Sequence, residues 1–273
     1  MKPLKYFVTM LLVFFAVPAA QASDTSKLHL TFDVTVIPDA AKLPQSSLPD
    51  PGLKITSKTT AVPGVEQFKA LLTQLSKAGD PILDATYYPF LKDKPIQIPV
   101  VLTQGVPEPY DAWATFHNGK KTFMFNMDMW NPTSLETQGL SVIKHETSHV
   151  LFALAGGQHE EKSYAGRLEQ IIVNEGIAHF IGYPKDRSAL FKTRGDKWPI
   201  AEAKVNEAMK LFADPKATAT QKDEMLKKAQ TGSFWEKYGA IAGMFRAAKI
   251  YETSGPSGLV EVIKNRKLPP VKP

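Results

Sequence analysis

Residues 133–157 read TSLETQGLSVIKHETSHVLFALAGG, and residues 163–182 read SYAGRLEQIIVNEGIAHFIG. Both stretches carry apolar residues at helical spacing, and both run into glycine, which stops a helix. Thr133 with Glu136 fits a capping box for the first helix, and Gly156-Gly157 ends it. The second helix is expected over 163–181, closed by Gly182. His145 and His149 lie four residues apart, one turn apart on one face, so both imidazoles can reach a single ion. Glu146 stands beside them. An ion such as zinc lowers the pKa of its water to about 7, and a neighbouring carboxylate can take the proton. Leu140, Val142, Ile143, Val150, Leu151 and Phe152 make this a core helix that delivers the histidines to the edge of a cavity.

A hydrolytic ion needs three protein ligands and one open position. A third histidine six residues after His149 is excluded, because that position is Ala155. Glu175 is the candidate. Its neighbours Ile171, Ile172, Val173, Ile177, Ala178, Phe180 and Ile181 are apolar, and a buried carboxylate needs a cation or hydrogen-bond donors. His159, in the connecting loop, is the alternative ligand. His29 and His117 read as ordinary strand and turn residues.

Working outward, His29–Ile37 alternates and is rich in β-branched residues, as a strand does. Residues 39–62 hold three prolines, Pro44, Pro49 and Pro51, and read as a long loop. A helix is expected over 64–77. Ile96–Thr103 reads as a strand that Pro99 restricts to an edge or a bulge. Trp113–His117 and Lys120–Asn126 flank Asn118-Gly119, the signature of a tight hairpin. Further helices are expected near 201–212, 220–229, 234–252 and 259–265, followed by a tail over 267–273. The order is sheet first and helices second, an α+β pattern. A small N-terminal mixed sheet with a hairpin precedes a mostly helical half, and the motif-bearing helix lies between them. One domain is expected over 23–273, mainly β in 23–132 and mainly α in 133–266.

The 273 residues contain no cysteine, which excludes disulfides, cysteine zinc sites and thiol catalysis. Any metal must be held by His, Asp or Glu. Lys2 and Lys5, the apolar run Phe7–Val17, Pro18 and Ala20-Gln21-Ala22 lay out a secretory leader over residues 1–22, cut after Ala22. The run is too short to span a bilayer, so the expectation is a periplasmic or secreted protein without stable membrane insertion. The net charge of +6 is spread along the chain without basic blocks, which argues against a nucleic-acid partner.

HETSHV followed by NEGIAHFIGY resembles the gluzincin metallopeptidases, which carry HExxH on one helix and a glutamate ligand on the next. Glu-Gly-Ile-Ala-His is similar to bacterial peptidases whose second motif reads Glu-Gly-Leu-Ala-x-Tyr/Phe. The resemblance covers about residues 96–265. It implies a zincin-like fold, with Zn2+ held by His145, His149 and Glu175, and Glu146 as base. It implies a peptide or protein substrate laid along a sheet edge, either Trp113–His117 or Thr122–Asn126. It also implies an oxyanion-stabilising phenol, for which Tyr238 is the candidate ahead of Tyr183 and Tyr251, and supporting residues beside the ligands at Asn174 and His179. Two departures stand out. His179 occupies the place where the best-known members carry an aspartate that orients a zinc-bound histidine, and no Gly-x-Met-Glu-Asn exopeptidase signature occurs. Two other functions fit the same residues: a non-catalytic exported zinc-binding protein, and a metal-dependent hydrolase of a non-peptide amide or ester.

Overall fold

In the computed structural model, which describes residues 27–50, 52–92, 94–157, 159–183 and 186–270, the first strand is β1 (Leu30–Ile37). The expected leader lies outside the described residues. Helices α1 (Val65–Ala78) and α2 (Pro81–Leu91) carry the chain to β2 (Ile96–Thr103), which pairs parallel with β1 from Leu30↔Ile96 to Ile37↔Thr103. β3 (Ala112–His117) and β4 (Lys120–Asn126) form the expected antiparallel hairpin. Asn118 and Gly119 turn it with φ of 50° and 75°, the two left-handed residues of a type I′ turn. β4 also pairs parallel with β2, so the sheet is mixed with order β1-β2-β4-β3.

That order corrects the expectation for Pro99, because β2 is internal. The Ile96 N–H donates to the His29 carbonyl, so by strand alternation Pro99 faces away from β1. On that side β4 begins to pair only at Val100↔Phe123, and the missing N–H of Pro99 costs no ladder bond.

The remaining elements are helical. They are α3 (Pro132–Ser134), α4 (Leu140–Leu154), α5 (Tyr164–Ile181), α6 (Leu190–Arg194), α7 (Lys197–Ala213), α8 (Ala219–Lys228) and α9 (Tyr238–Asn265). Three boundaries differ from expectation. The capping box is Asn131–Ser134 with Pro132 at the first helical position, not Thr133–Glu136, and a π-helical turn at Leu135–Gly139 leads into α4. α7 starts at Lys197 rather than near 201. The two expected C-terminal helices are the halves of α9, which breaks at Gly255 ahead of Pro256. Residues 27–132 hold all four strands, but α1 and α2 give that half nearly as much helix as sheet.

One sheet face, with Ile98, Val100, Leu102, Phe123 and Phe125, packs on α1 through Phe68, Leu72 and Leu75. The other face, with Val101, Trp113 and Met124, is covered by Leu43, Leu48, Leu53 and Ile55 of the proline-rich segment. The segment is therefore a layer of the fold, tied down where the Trp113 indole donates to the Ser47 carbonyl at 2.9 Å. The main apolar core runs from Leu28 to Leu268 and takes in both halves of the chain.

Helices α5 and α9 meet backbone on backbone. A Cβ at Gly243 would lie 2.1 Å from the Ile172 carbonyl oxygen, and one at Gly176 would lie 2.5 Å from Gly243 Cα. Glycine is the residue that fits at this crossing. Arg246, one turn along α9, forks onto Glu202 of α7 at 2.6 and 2.8 Å. α2 is fixed by Asp80, whose Oδ1 caps the Ile82 and Leu83 N–H groups. Its other oxygen takes Lys144 Nζ at 2.8 Å and Arg187 Nη2 at 3.4 Å, and Arg187 also donates to the Phe180 and Ile181 carbonyls. One carboxylate thus joins α2, α4 and the end of α5.

Replacing Gly243 by alanine is expected to force α5 and α9 apart, costing about 1–3 kcal/mol. Thermal melting should fall by about 2–4 °C per kcal/mol in a chain of this size. Burial pushes the Asp80 carboxyl up, but the Lys144 hydrogen bond, the Leu83 N–H and Arg187 outweigh it and hold it below 3.8. A lowered acid contributes stability above its ordinary pKa and loses it as pH falls through the lowered value. Asp80→Asn should therefore melt well below the parent at pH 7, and the gap should shrink below about pH 4.

Candidate metal centre

α4 brings His145, Glu146 and His149 onto one turn facing α5. The two Nε2 atoms are 3.0 Å apart. Glu175 of α5 places Oε2 3.8 Å from His145 Nε2 and Oε1 3.6 Å from His149 Nε2. A tetrahedral ion with bonds of about 2.1 Å holds its ligands about 3.4 Å apart. The three side chains thus lie near that spacing, with a different Glu175 oxygen facing each histidine, and two imidazoles with a carboxylate are a donor set suited to a first-row transition metal. Two overlapping groups of side chains could hold an ion, His145–Glu146–His149 and His145–Glu175–His179, with their ligand atoms mutually within 4.8 Å.

The residues around these donors fix their ring orientations. His149 Nδ1 donates to the Asn174 side-chain oxygen at 3.0 Å, which turns the Nε2 lone pair toward the shared point. The Ala178 backbone holds His145. His179 Nδ1 donates to the Glu175 carbonyl oxygen at 2.9 Å and lies 3.5 Å from Glu175 Oε2, with its ring edge-on to His145 at 4.5 Å. A single stretch of α5, residues 174–179, therefore supplies the third donor and holds both α4 histidines. His179 supports this site from the Glu175 side, not as an acceptor for a ligand N–H.

Tyr238 is not in the site. Its hydroxyl donates to the Met225 carbonyl at 2.9 Å, and its neighbour Lys237 lines the cleft instead. The oxyanion role expected of Tyr238 is withdrawn on that geometry. Tyr251 packs on Phe180 and Tyr183 packs on Phe234, and neither phenol lines the cleft. His159 pairs with Glu161 at 2.7 Å in its loop, and His117 contacts Ser47 Oγ at the far end of β3.

The donors open onto a cleft of about 550 Å3, room for a few residues of substrate. One wall is β3, the edge strand of the hairpin pair; β4 is internal. The Asn126 N–H donates to the Asp111 carbonyl, so residues 111, 113, 115 and 117 face β4 while Ala112 and Ala114 face outward. Leu48 and Pro49 of the proline-rich segment form part of the rim, and Lys237 and Phe234 close the other side. Asp111, Lys121 and Lys237 in this cleft were missed in the sequence, where they sit outside any motif.

The site is electrostatically strained. Glu146 is only 5% exposed, and its Oε2 has no hydrogen-bond partner. Burial, then the charges of Glu175 and Asp111, push its carboxyl well above the ordinary range. Burial, then His179, His149 and Lys237, pushes the His145 imidazole well below its usual value. Burial lowers His179 to about 4, against the pull of Glu175, so its ring is neutral at pH 7. Buried, mutually repelling carboxylates beside neutral imidazoles are what a cation site needs when no cation offsets them.

Comparison with family models, with curated proteins and with solved structures finds no match.

With chelator present, Glu146→Gln is expected to stabilise the protein at pH 8, because the amide has no charge to bury beside Glu175 and Asp111. The sign follows from linkage. A carboxyl raised in the folded state contributes its full stability only below its ordinary value of 4.5 and loses it as pH rises from there through the raised value. Melting of the chelated parent should thus fall from pH 5 to pH 8 more than that of Glu146→Gln.

Proposed function

We propose that this chain is an exported zinc-dependent peptidase with a zincin-like fold. The observation that carries the reading is the convergence of His145 Nε2, His149 Nε2 and the Glu175 carboxylate on one point, with the unpartnered Glu146 oxygen beside it. His145, His149 and Glu175 hold the zinc. When bound, zinc supplies Lewis acidity toward a carbonyl and toward water.

The other steps belong to the chain. Glu146, whose burial makes it a stronger base than an exposed glutamate, takes the proton of the attacking water. It then passes that proton to the leaving nitrogen. The outward Ala112 C=O and the Ala114 N–H pair with an extended substrate backbone by strand addition, while the Ala112 N–H already donates to the Asp111 carboxylate at 2.9 Å. Asn174 keeps His149 in the tautomer that offers Nε2. The 1–22 leader supports a periplasmic or secreted location, and neither a nucleic-acid partner nor membrane insertion is part of this reading. No helix among the described residues is long and apolar enough to cross a membrane.

His179 favours a second reading. Its place beside His145 and Glu175 offers a fourth protein donor, and a fully protein-ligated zinc is structural. The protein would then hold zinc and cleave nothing.

Elemental mass spectrometry decides the first step. The parent is expected to carry about one zinc per chain, Glu175→Ala to lose it, and Asn174→Ala to bind it about 10–100-fold more weakly. Glu146→Gln should keep zinc while peptide hydrolysis falls by about 10²–10⁴-fold. Zinc retained by Glu175→Ala would remove the ligand assignment. A zinc-loaded parent that leaves a mixed peptide pool intact, but cleaves it once His179 is alanine, would favour the closed structural site. Failure on peptides with turnover of small esters or amides would move the activity to a non-peptide substrate.

A further inference from the structure

The cleft holds two cations that the reaction does not use. Lys121 projects from β4 on the face that carries Phe123 and Phe125, the face turned to the helices, and lines the cleft beside β3. Lys237 lines the opposite wall, on the turn that leads into α9. Neither forms an ion pair with a carboxylate among the described residues. Lys121 has a long contact to the Ala114 carbonyl at 3.4 Å and lies 5.4 Å from the centre of the Phe116 ring. Most other lysines with close partners pair within their own helix on the surface, as Lys69 does with Glu66.

Leaving these ammonium groups in the cleft is costly. Burial lowers the Lys121 pKa, and only the more distant charges of Glu146 and Glu175 oppose that. Lys237 contributes to the field at His145, Glu146, His179 and Asp111, so it faces the site. With a divalent ion seated, the ion and the two lysines outweigh the three carboxylates Glu146, Glu175 and Asp111. The surplus is positive, and it rises further if buried Asp111 takes a proton. A half-buried cation without a partner is retained where a ligand completes the pair. Both lysines flank the free edge of β3, where a substrate backbone would run.

We propose that Lys121 and Lys237 select substrates that carry a carboxylate close to the scissile bond. The inference rests on the peptidase reading and narrows its substrate class. The carboxylate has two possible sources, the C-terminus of a short peptide or an acidic side chain. The lysines bind and position it and take no part in proton transfer.

The test is binding, measured calorimetrically on zinc-loaded Glu146→Gln protein so that the probe survives. Three N-acetylated alanine pentapeptides serve as probes. One is the C-terminal amide, one is the free acid, and one is the amide with a central glutamate. At least one anionic probe should bind about tenfold or more tightly than the neutral amide, the scale of one well-placed charge contact. The preference should disappear when Lys121 and Lys237 are both methionine, and should survive when both are arginine, with unchanged melting as the check on folding. A carboxylate that binds through zinc alone would keep its preference without the lysines, and that result would overturn the proposal. Equal binding of all three probes, or no measurable binding of either anionic probe, would also overturn it. A free-acid preference identifies removal of residues from a C-terminus. A glutamate preference identifies cleavage beside acidic residues. The parent enzyme separates the two readings. Hydrolysis of neutral peptides without a charge preference refutes this inference alone. A lysine-dependent preference without hydrolysis of any peptide refutes the peptidase reading and leaves the anion site standing.

Discussion

The crossing of α5 over α9, backbone on backbone at Gly176 and Gly243, fixes the helix that carries Asn174, Glu175 and His179. α5 supplies Glu175 and Asn174 and the Ala178 and His179 contacts, so a shift of that helix would move a donor and both histidine supports together. Small residues at the contact let α9 press on α5 from behind, while α4 meets its other flank. Gly176 follows Glu175 directly, so one dipeptide places the carboxylate and permits the approach that fixes it. The forked Arg246–Glu202 pair anchors α9 to α7 beyond the crossing, and Asp80 anchors α4 through Lys144, next to His145. The supports are charged and well paired away from the cleft, whereas the cleft itself is charged and poorly paired.

The sheet has a different task. Its apolar faces are both occupied, one by α1 and the other by the proline-rich segment, so what it offers is the outer edge of β3. The hairpin turn fixes which residues of β3 face outward. Segment 45–49 covers the edge at Thr115–His117 through Ser46 and Ser47 contacts and leaves Ala112 and Ala114 beside the metal donors. The accessible edge is therefore short. Proline suits the covering segment because it needs no ladder partners and loses little backbone freedom on folding.

Much of this was legible along the chain. Two histidines at helical spacing, a carboxylate embedded in apolar neighbours and an Asn-Gly pair between β-rich runs each have one cheap physical solution, and those elements formed as expected. α2 did not announce itself because PILDATYYPFL is apolar nearly all round and contains Pro89, so it has no amphipathic stripe to read. The start of the motif helix was misplaced because Asn131 and Pro132 outcompete Thr133 as a cap, a choice that depends on backbone entering from β4. Strand order is not encoded in local pattern at all, and Pro99 was misjudged for that reason. Tyr238 failed by one residue. Adjacent helical positions point about 100° apart, so rotation of the first turn of α9 decides whether the phenol or Lys237 faces the cleft. Asp111, Lys121 and Lys237 carry no motif and become neighbours only after the hairpin, α4 and α9 have packed.

The same packing explains why the centre can be both strained and ordered. Glu146, Glu175 and Asp111 repel one another in a poorly solvated space, and desolvation holds His145 and His179 neutral. Without a bound metal ion the carboxylate charge of that cluster opposes folding, and only Lys121 and Lys237 ease it. A chain without cysteine has no covalent staple to offset the strain, so the apolar core and the remote ion pairs must do so. A divalent cation reverses the sign of the largest unfavourable interaction, because each carboxylate that opposed folding then attracts the ion. Binding to the native state alone adds stability that grows with the logarithm of cation concentration. A metal ion held by these carboxylates would therefore link its uptake to folding, and the packed α4–α5–α9 stack is what keeps the carboxylates close enough for that link.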